Sequence, residues 1–264
     1  MASTTAPTET PEPPPRRGAL RAVAGPFVAA ANLVARVFGF LRDAVARALL
    51  ALGFTPNTVT LVGPVVGTPV AVAWYFGDQQ TGGWLLVAAS SFDLLDGAVA
   101  RIGGQVTTFG AFLDSVVDRY SDFIIFTGIF LYFLLHTAGE VQTLYLSVYV
   151  LALLGTWLPS YVRARAETLI PQCKVGFMER AERTVTIFIG AIAGNLHIAI
   201  WILAFFGNLI SIERILYTRE QLEPHTRRWG RLLWRYERLS PPHAVMCAAL
   251  IALLIFGHHL IPRP

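Results

Sequence analysis

The sequence predicts an all-α helical bundle that lives in a membrane, and three observations predict it. Of 264 residues, 54% are hydrophobic and only 14% charged, with a mean hydropathy of +0.53, far from the balance of a soluble domain. The apolar residues fall into runs close to the roughly 20 that cross a bilayer. The basic residues gather between alternate runs, as in cytoplasm-facing loops. The net charge of +4 therefore suits a membrane surface and argues against nucleic acid as a partner. Cys173 and Cys247 lie far apart with no Cys/His ligand spacing around them, so both read as ordinary buried or loop thiols.

Taken in order, residues 1–18 (MASTTAPTETPEPPPRRG) are rich in Pro and Thr, contain nothing that builds a core, and read as a disordered tail. Residues 19–52 carry Arg36, Arg42 and Arg47 at five- or six-residue spacing among apolar residues, the pattern of an amphipathic helix on the membrane surface. Residues 53–218 form the membrane domain, with six core spans near 57–77, 83–102, 109–135, 142–165, 181–195 and 197–217. Residues 219–264 form a basic extension, in which 243–261 is either a seventh span or a re-entrant helix. Threaded six times, the chain puts Arg16 to Arg47, Arg101, Arg163 to Arg183 and Arg214 to Arg238 on one side. The loops GDQQTGG, HTAGEVQ and GNLH, free of Lys and Arg, fall on the other. That asymmetry predicts a multi-pass protein of the cell membrane with its basic face in the cytoplasm, and Trp74 and Trp84 flank the first outer loop like interfacial anchors.

Four aspartates stand inside this apolar sequence: Asp93 and Asp96 in the second span, Asp114 and Asp118 in the third, near their cytoplasmic ends. A charge at mid-bilayer costs roughly 2.5 to 3.5 kcal/mol even on the lenient insertion scale, and four carboxylates also repel one another. Spacings of three and four put each pair on one helical face, and Gly103-Gly104 lets the chain turn so that both pairs converge. Only Arg101 and Arg119 lie nearby in sequence, too few to neutralise four charges. The set, with no His or Cys beside it, favours a hard divalent cation, Mg²⁺ or Mn²⁺ bridged by phosphate oxygens, and room for two such ions is expected. Gly97, Ala100 and Gly110 clear space on the same faces. Aspartates in spans also mark transporters, but the halves show no repeat and the charges cluster at one membrane face.

The spacing D-x2-D-G-x2-A-R-x8-G-x3-D-x3-D, met by Asp93, Asp96, Gly97, Ala100, Arg101, Gly110, Asp114 and Asp118, resembles the signature of the CDP-alcohol phosphotransferase family. Membrane prenyltransferases also have Asp-rich motifs but lack the D-G-x2-A-R continuation. The resemblance implies that Asp93, Asp96, Asp114 and Asp118 hold two divalent metals and that Asp118 is also the base that activates the acceptor hydroxyl. It further implies that Gly97 and Arg101, helped by Thr107, bind the CDP moiety, and that Pro56, Asn57 and Thr60 of TPNTVT touch the nucleotide; the alternative for Pro56 is that it only sets the start of the helix. CDP-diacylglycerol as donor and a homodimer follow from the same resemblance.

The acceptor is read from 161–183, YVRARAETLIPQCKVGFMERAER, where Arg163, Lys174, Arg180 and Arg183 lie on the cytoplasmic side and could bind a phosphate on the acceptor. Arg165, two residues from Arg163, faces elsewhere on a helix. The alternative for each is a positive-inside loop beside anionic lipid. YVRARAE, ERAER and DRYSD are similar to the phosphatidylinositol phosphate synthase branch of the family, which implies inositol phosphate as acceptor. Transfer to glycerol phosphate is the alternative.

Overall fold

The structure, a computed structural model, describes residues 36–223 and 241–257. A first helix, α1, runs through 36–51, followed by α2 (Pro56–Tyr75), α3 (Gln79–Ile102), α4 (Thr108–His136), α5 (Gly139–Ala166) and α6 (Arg180–Ile192). The chain continues through α7 (Leu196–Ile202), a π-helical turn (Leu203–Gly207) and α8 (Asn208–Leu222), and α9 occupies Pro241–Phe256. The starts follow from capping chemistry. Thr55, Asp78 and Thr107 each accept a hydrogen bond from a first-turn amide, those of Thr58 at 3.3 Å, Thr81 at 2.9 Å and Gly110 at 2.9 Å, satisfying donors that a helix leaves unpaired. Pro56 stands at the start of α2, where its missing N–H costs nothing.

The bundle has two halves. In one, α2 packs on α3 and α4; in the other, α5 packs on the α7–π–α8 rod, and α3 against α6 joins them. Small residues set the second contact, because a Cβ on Gly207 would strike the Gly155 carbonyl, and Asn208 Nδ2 donates to the Leu151 oxygen at 2.9 Å across it. α1 seats fully buried Ala46 against Val59, Leu95, Ala98 and Val99 while Phe40 and Leu41 stay exposed. A helix that presents apolar side chains outward is stable where the surroundings are lipid. Leu61, Val65, Val150 and Leu151 are exposed in the same way on α2 and α5.

All the expected spans appear as helices close to their expected positions, but they are not alike. Three are long and apolar enough to cross a membrane: Pro56–Tyr75, Gly139–Ala166 and the continuous Leu196–Leu222. α3 and α4 are as long, at 24 and 29 residues, and carry the aspartates. The expected span at 181–195 is a helix of 13 residues, about 20 Å at 1.5 Å per residue, short of the hydrocarbon core. α9 is likewise short at 16 residues and lies against α6 and α7, pinned by a hydrogen bond of 2.9 Å from Asn195 Nδ2 to the Leu254 oxygen. The tail at 1–18 and most of the 219–264 extension lie outside the described residues.

Trp74 corrects one expectation. It is fully buried and packs over Gly82 of α3, where a Cβ would collide with the indole, and its Nε1 donates to the Gln79 oxygen at 3.2 Å. A ring this enclosed is core and cannot anchor the protein to an interface. Trp84, by contrast, is exposed, edge-to-face with Phe188.

Candidate active site

The turn between α3 and α4 brings the four motif aspartates together. Gly103 N–H donates to the Val99 oxygen at 2.8 Å, closing α3, and Gly104 follows at φ +63°, a left-handed conformation that glycine adopts without strain. α4 then restarts antiparallel under the Thr107 cap. As a result Asp93, Asp96, Asp114 and Asp118 all line one small cavity, closed on the third side by Val59, Thr60 and Gly63 of α2. Thr60 Oγ1 donates to Asp96 Oδ2 at 2.7 Å and fixes that carboxylate. Gly63 is there for space: a Cβ would lie 3.0 Å from Asp93 Oδ1.

The nearest positive charge comes from far along the chain. Arg180, the first residue of α6, puts Nη2 3.2 Å from Asp93 Oδ2, pairs Nη1 with Asp118 Oδ1, and holds Nε 3.6 Å from Asp122 Oδ1. Of the two arginines near the motif in sequence, neither pairs with the four motif aspartates. Arg101 folds over Gly97 in a neighbouring hollow, and Arg119 pairs with Asp122 Oδ2 at 3.1 Å while donating to Ser160 Oγ at 3.2 Å. Asp122 is a fifth carboxylate that the motif does not include. Its signal in the sequence is the i,i+4 step from Asp118 in DRYSD. With Arg180 among the carboxylates, no three His, Cys, Asp or Glu side chains among the described residues stand as a closed ligand shell.

Two hollows flank the carboxylates. The first, about 300 Å³, opens between α2, α3 and the start of α4 and is lined by all of Pro56, Asn57, Thr60, Gly97, Arg101 and Thr107, with Asp96 and Asp114 in its wall. One edge of it is closely packed. Gly110 approaches the Thr107 hydroxyl and Asn57 so closely that a Cβ would stand 3.0 and 3.5 Å from their oxygens.

The second hollow, about 230 Å³, lies between the end of α5, the start of α6 and α8, and gathers Arg163, Arg180, Arg183 and Arg214 with Glu167 and Glu179. Arg163 is partly neutralised there, 3.1 Å from Glu167 Oε1 and 3.8 Å from Glu179 Oε1. Arg183 is buried; its Nη1 donates to the Met178 oxygen at 3.4 Å and its Nε has no hydrogen-bond partner among the described residues. Lys174, expected in this group, is exposed and outside the hollow, since the chain between α5 and α6 carries it away. Arg165 is also outside, turned to the Thr168 hydroxyl at 3.4 Å. Arg214 is the member that sequence reading missed. It sits on α8, fixed by hydrogen bonds to the Val175 oxygen at 3.0 Å and the Pro159 oxygen at 2.6 Å, and nothing in its local sequence separates it from the other arginines that follow.

A helical membrane bundle with a carboxylate cavity between a hollow lined by the motif residues and an arginine hollow fits an enzyme that works on phosphorylated groups at a membrane. The chain belongs to the CDP-alcohol phosphatidyltransferase family, whose pattern matches residues 53–209. It is 42% identical over 171 residues to an archaetidylinositol phosphate synthase of Methanothermobacter thermautotrophicus, covering 62% of this chain and 83% of that one. Among solved structures it resembles the phosphatidylinositol phosphate synthase of Mycobacterium tuberculosis with CDP-DAG bound, with TM-score 0.64 and 28% identity over 70% of this chain and 97% of that one. The same enzyme in complex with manganese and citrate matches at TM-score 0.64 and 28% identity, over 70% of this chain and 92% of that one.

Proposed function

We propose that this protein transfers a phosphatidyl group from CDP-diacylglycerol to inositol phosphate and releases CMP. The observation that carries this reading is the succession of cavities. Asp96 and Asp114 belong both to the first hollow and to the carboxylate cavity, and Arg180, paired with Asp93 and Asp118 of that cavity, also lines the arginine hollow. A donor held by its CDP in the first hollow presents its diphosphate to the aspartates, and an acceptor held by its phosphate in the third brings a hydroxyl to the same point. The Nε of Arg183, buried without a hydrogen-bond partner among the described residues, suits an anionic acceptor, because a buried donor left unpaired costs about 1 to 3 kcal/mol. The names of both relatives support an inositol phosphate acceptor, and the CDP-DAG bound to the mycobacterial enzyme supports the donor.

The acceptor oxygen attacks the phosphorus that carries the lipid alcohol, the bond from that phosphorus to the oxygen of CMP breaks, and Asp118 takes the acceptor's proton. The donor set fits a hard divalent cation: four carboxylates on one cavity with no sulfur or imidazole among them, Asp96 fixed by Thr60 and space kept beside Asp93 by Gly63. Asp93, Asp96, Asp114 and Asp118 would hold two ions, Mg²⁺ or Mn²⁺, and the chemistry these supply when bound is neutralisation of the diphosphate. The manganese complex of the mycobacterial enzyme supports that choice. The protein sits in the cell membrane as a multi-pass homodimer with the hollows open to the cytoplasm. The loops GDQQTGG and HTAGEVQ, free of basic residues, support that orientation.

Purified protein given radiolabelled CDP-diacylglycerol and Mn²⁺ tests the reading by CMP release with inositol phosphate, glycerol phosphate and free inositol. Inositol phosphate is expected to be used in clear preference. Preference for glycerol phosphate, or equal turnover of free inositol, would overturn the acceptor and leave the transfer chemistry standing.

A further inference from the structure

Arg180 touches three carboxylates, and they differ in kind. Asp93 and Asp118 line the cavity proposed to hold cations. Asp122 does not. It lies one turn beyond Asp118 on α4, is only 8% exposed, and faces Arg180 with one oxygen and Arg119 with the other. Arg119 is in turn tied to Ser160 of α5, and it holds Asp122 by charge, since Asp122 Oδ2 accepts no hydrogen bond among the described residues. The same Arg180 side chain lines the arginine hollow. A guanidinium and a divalent cation cannot share Asp93 and Asp118, because positive charges a few ångströms apart in a poorly solvated site repel strongly. Cation binding must therefore take these two partners from Arg180, and the carboxylate left to it is Asp122.

Resting on the acceptor reading above, we infer that Asp122 is a positioning residue that anchors Arg180 between the metal carboxylates and the arginine hollow, and that Arg180 is a counter-ion which divalent cations displace from Asp93 and Asp118. Two consequences follow. Arg180 competes with cations for the carboxylates, and once displaced it turns its free donors to the acceptor phosphate while Asp122 keeps it from swinging out. Cation loading and acceptor binding are then favourably linked, and the linkage is reciprocal.

The test uses the full chain in lipid nanodiscs. Mn²⁺ affinity is read from the electron paramagnetic resonance signal of free Mn²⁺ with no substrate present, and steady-state kinetics give KM for inositol phosphate and for the CDP-lipid. R180Q should bind Mn²⁺ about tenfold more tightly than wild type, and unchanged or weaker binding would overturn the proposal. D122N should raise the inositol phosphate KM about tenfold with the CDP-lipid KM within about twofold, and D122E should return to within about threefold of wild type. The D122N effect should vanish in the R180Q background, because Asp122 acts through Arg180. An effect that persists there would overturn the positioning role. If D122N does not fold, the R180Q titration and the D122E kinetics decide the matter. The Mn²⁺ measurement contains no acceptor, so a wrong acceptor would void the kinetic differences and leave the R180Q result intact, separating the two failures.

Discussion

The first hollow and the arginine hollow flank the same aspartates, yet the chain writes them differently. The first is built from two short stretches, Pro56 to Thr60 and Asp96 to Asp114, the second of which holds the glycine turn between α3 and α4. The second draws on the end of α5, the start of α6 and the middle of α8, from Ser160 to Arg214. A local motif can fix a binding site when the helices that carry it are consecutive and antiparallel, because backbone geometry then sets the distances. A site assembled across the bundle depends on which helix packs on which, and the sequence does not state that. The two also differ in charge. The first hollow has Arg101 as its one cation among the described residues that line it, while the second sets four arginines against two glutamates.

The comparison breaks most completely at the shared wall. Asp93→Asn, Asp96→Asn and Asp114→Asn should each lower kcat by about a thousandfold, the scale for losing a preorganised charge at the reacting centre, and raising Mn²⁺ should restore part of it. Asp118→Asn should lose about 10²- to 10⁴-fold, as for a general base, and should not recover with metal. Turnover measured against Mn²⁺ concentration separates the cases. Recovery of Asp118→Asn at high Mn²⁺ would remove the base assignment and leave that residue as a ligand alone.

Losses confined to one hollow come next. Arg183→Ala should raise the acceptor KM by roughly ten- to a hundredfold, the value of a charge-assisted contact, with the CDP-lipid KM almost unchanged. Arg163→Ala should fall at the low end of that range, because Glu167 and Glu179 already take part of its charge. An equal rise in both KM values would mean that the hollows are not separate sites.

Gly63→Ala sharpens the comparison from the α2 side. A Cβ 3.0 Å from Asp93 Oδ1 forces that carboxylate to move by a few tenths of an ångström, and a misplacement on that scale near the chemistry should cost up to about tenfold in kcat. Thermal stability should change little, since the displaced group borders a cavity. Mn²⁺ affinity measured beside kcat would locate the fault at the carboxylate cavity.

The same difference explains how much could be read in advance. The helices were legible because apolar runs, Thr and Asp caps and the Gly103-Gly104 turn are local signals. The first hollow was legible because its residues lie within the motif or at the first turn of α2. Arg180 was legible as a basic residue near the membrane face but not as the partner of Asp93, 87 positions away. Arg214 was hidden among the arginines that follow it, and only the seating of α8 on α5 reveals it. Trp74 was misread for the converse reason. An aromatic at the end of an apolar run fits an interfacial belt equally well until Gly82 is seen to open a slot for the ring.

The smallest effect tests whether the arginine hollow is set by helices or by the segment between them. Arg165 and Lys174 carry the same charge as their neighbours and lie within a few residues of them, so a site defined only by basic composition would use them too. Two residues along a helix is a rotation of about 200°, which turns Arg165 away from Arg163 and toward Thr168. Lys174 is exposed, beside the buried Cys173 that fixes the chain there. Exposed charges at that distance are screened by solvent and salt, so Arg165→Ala and Lys174→Ala should each change the inositol phosphate KM by less than about twofold. A rise for Lys174→Ala as large as that for Arg183→Ala would mean that the segment between α5 and α6 folds over the acceptor during turnover. The hollow would then be formed by the ligand as much as by the bundle, and its contrast with the preformed donor side would become one of timing as well as of sequence.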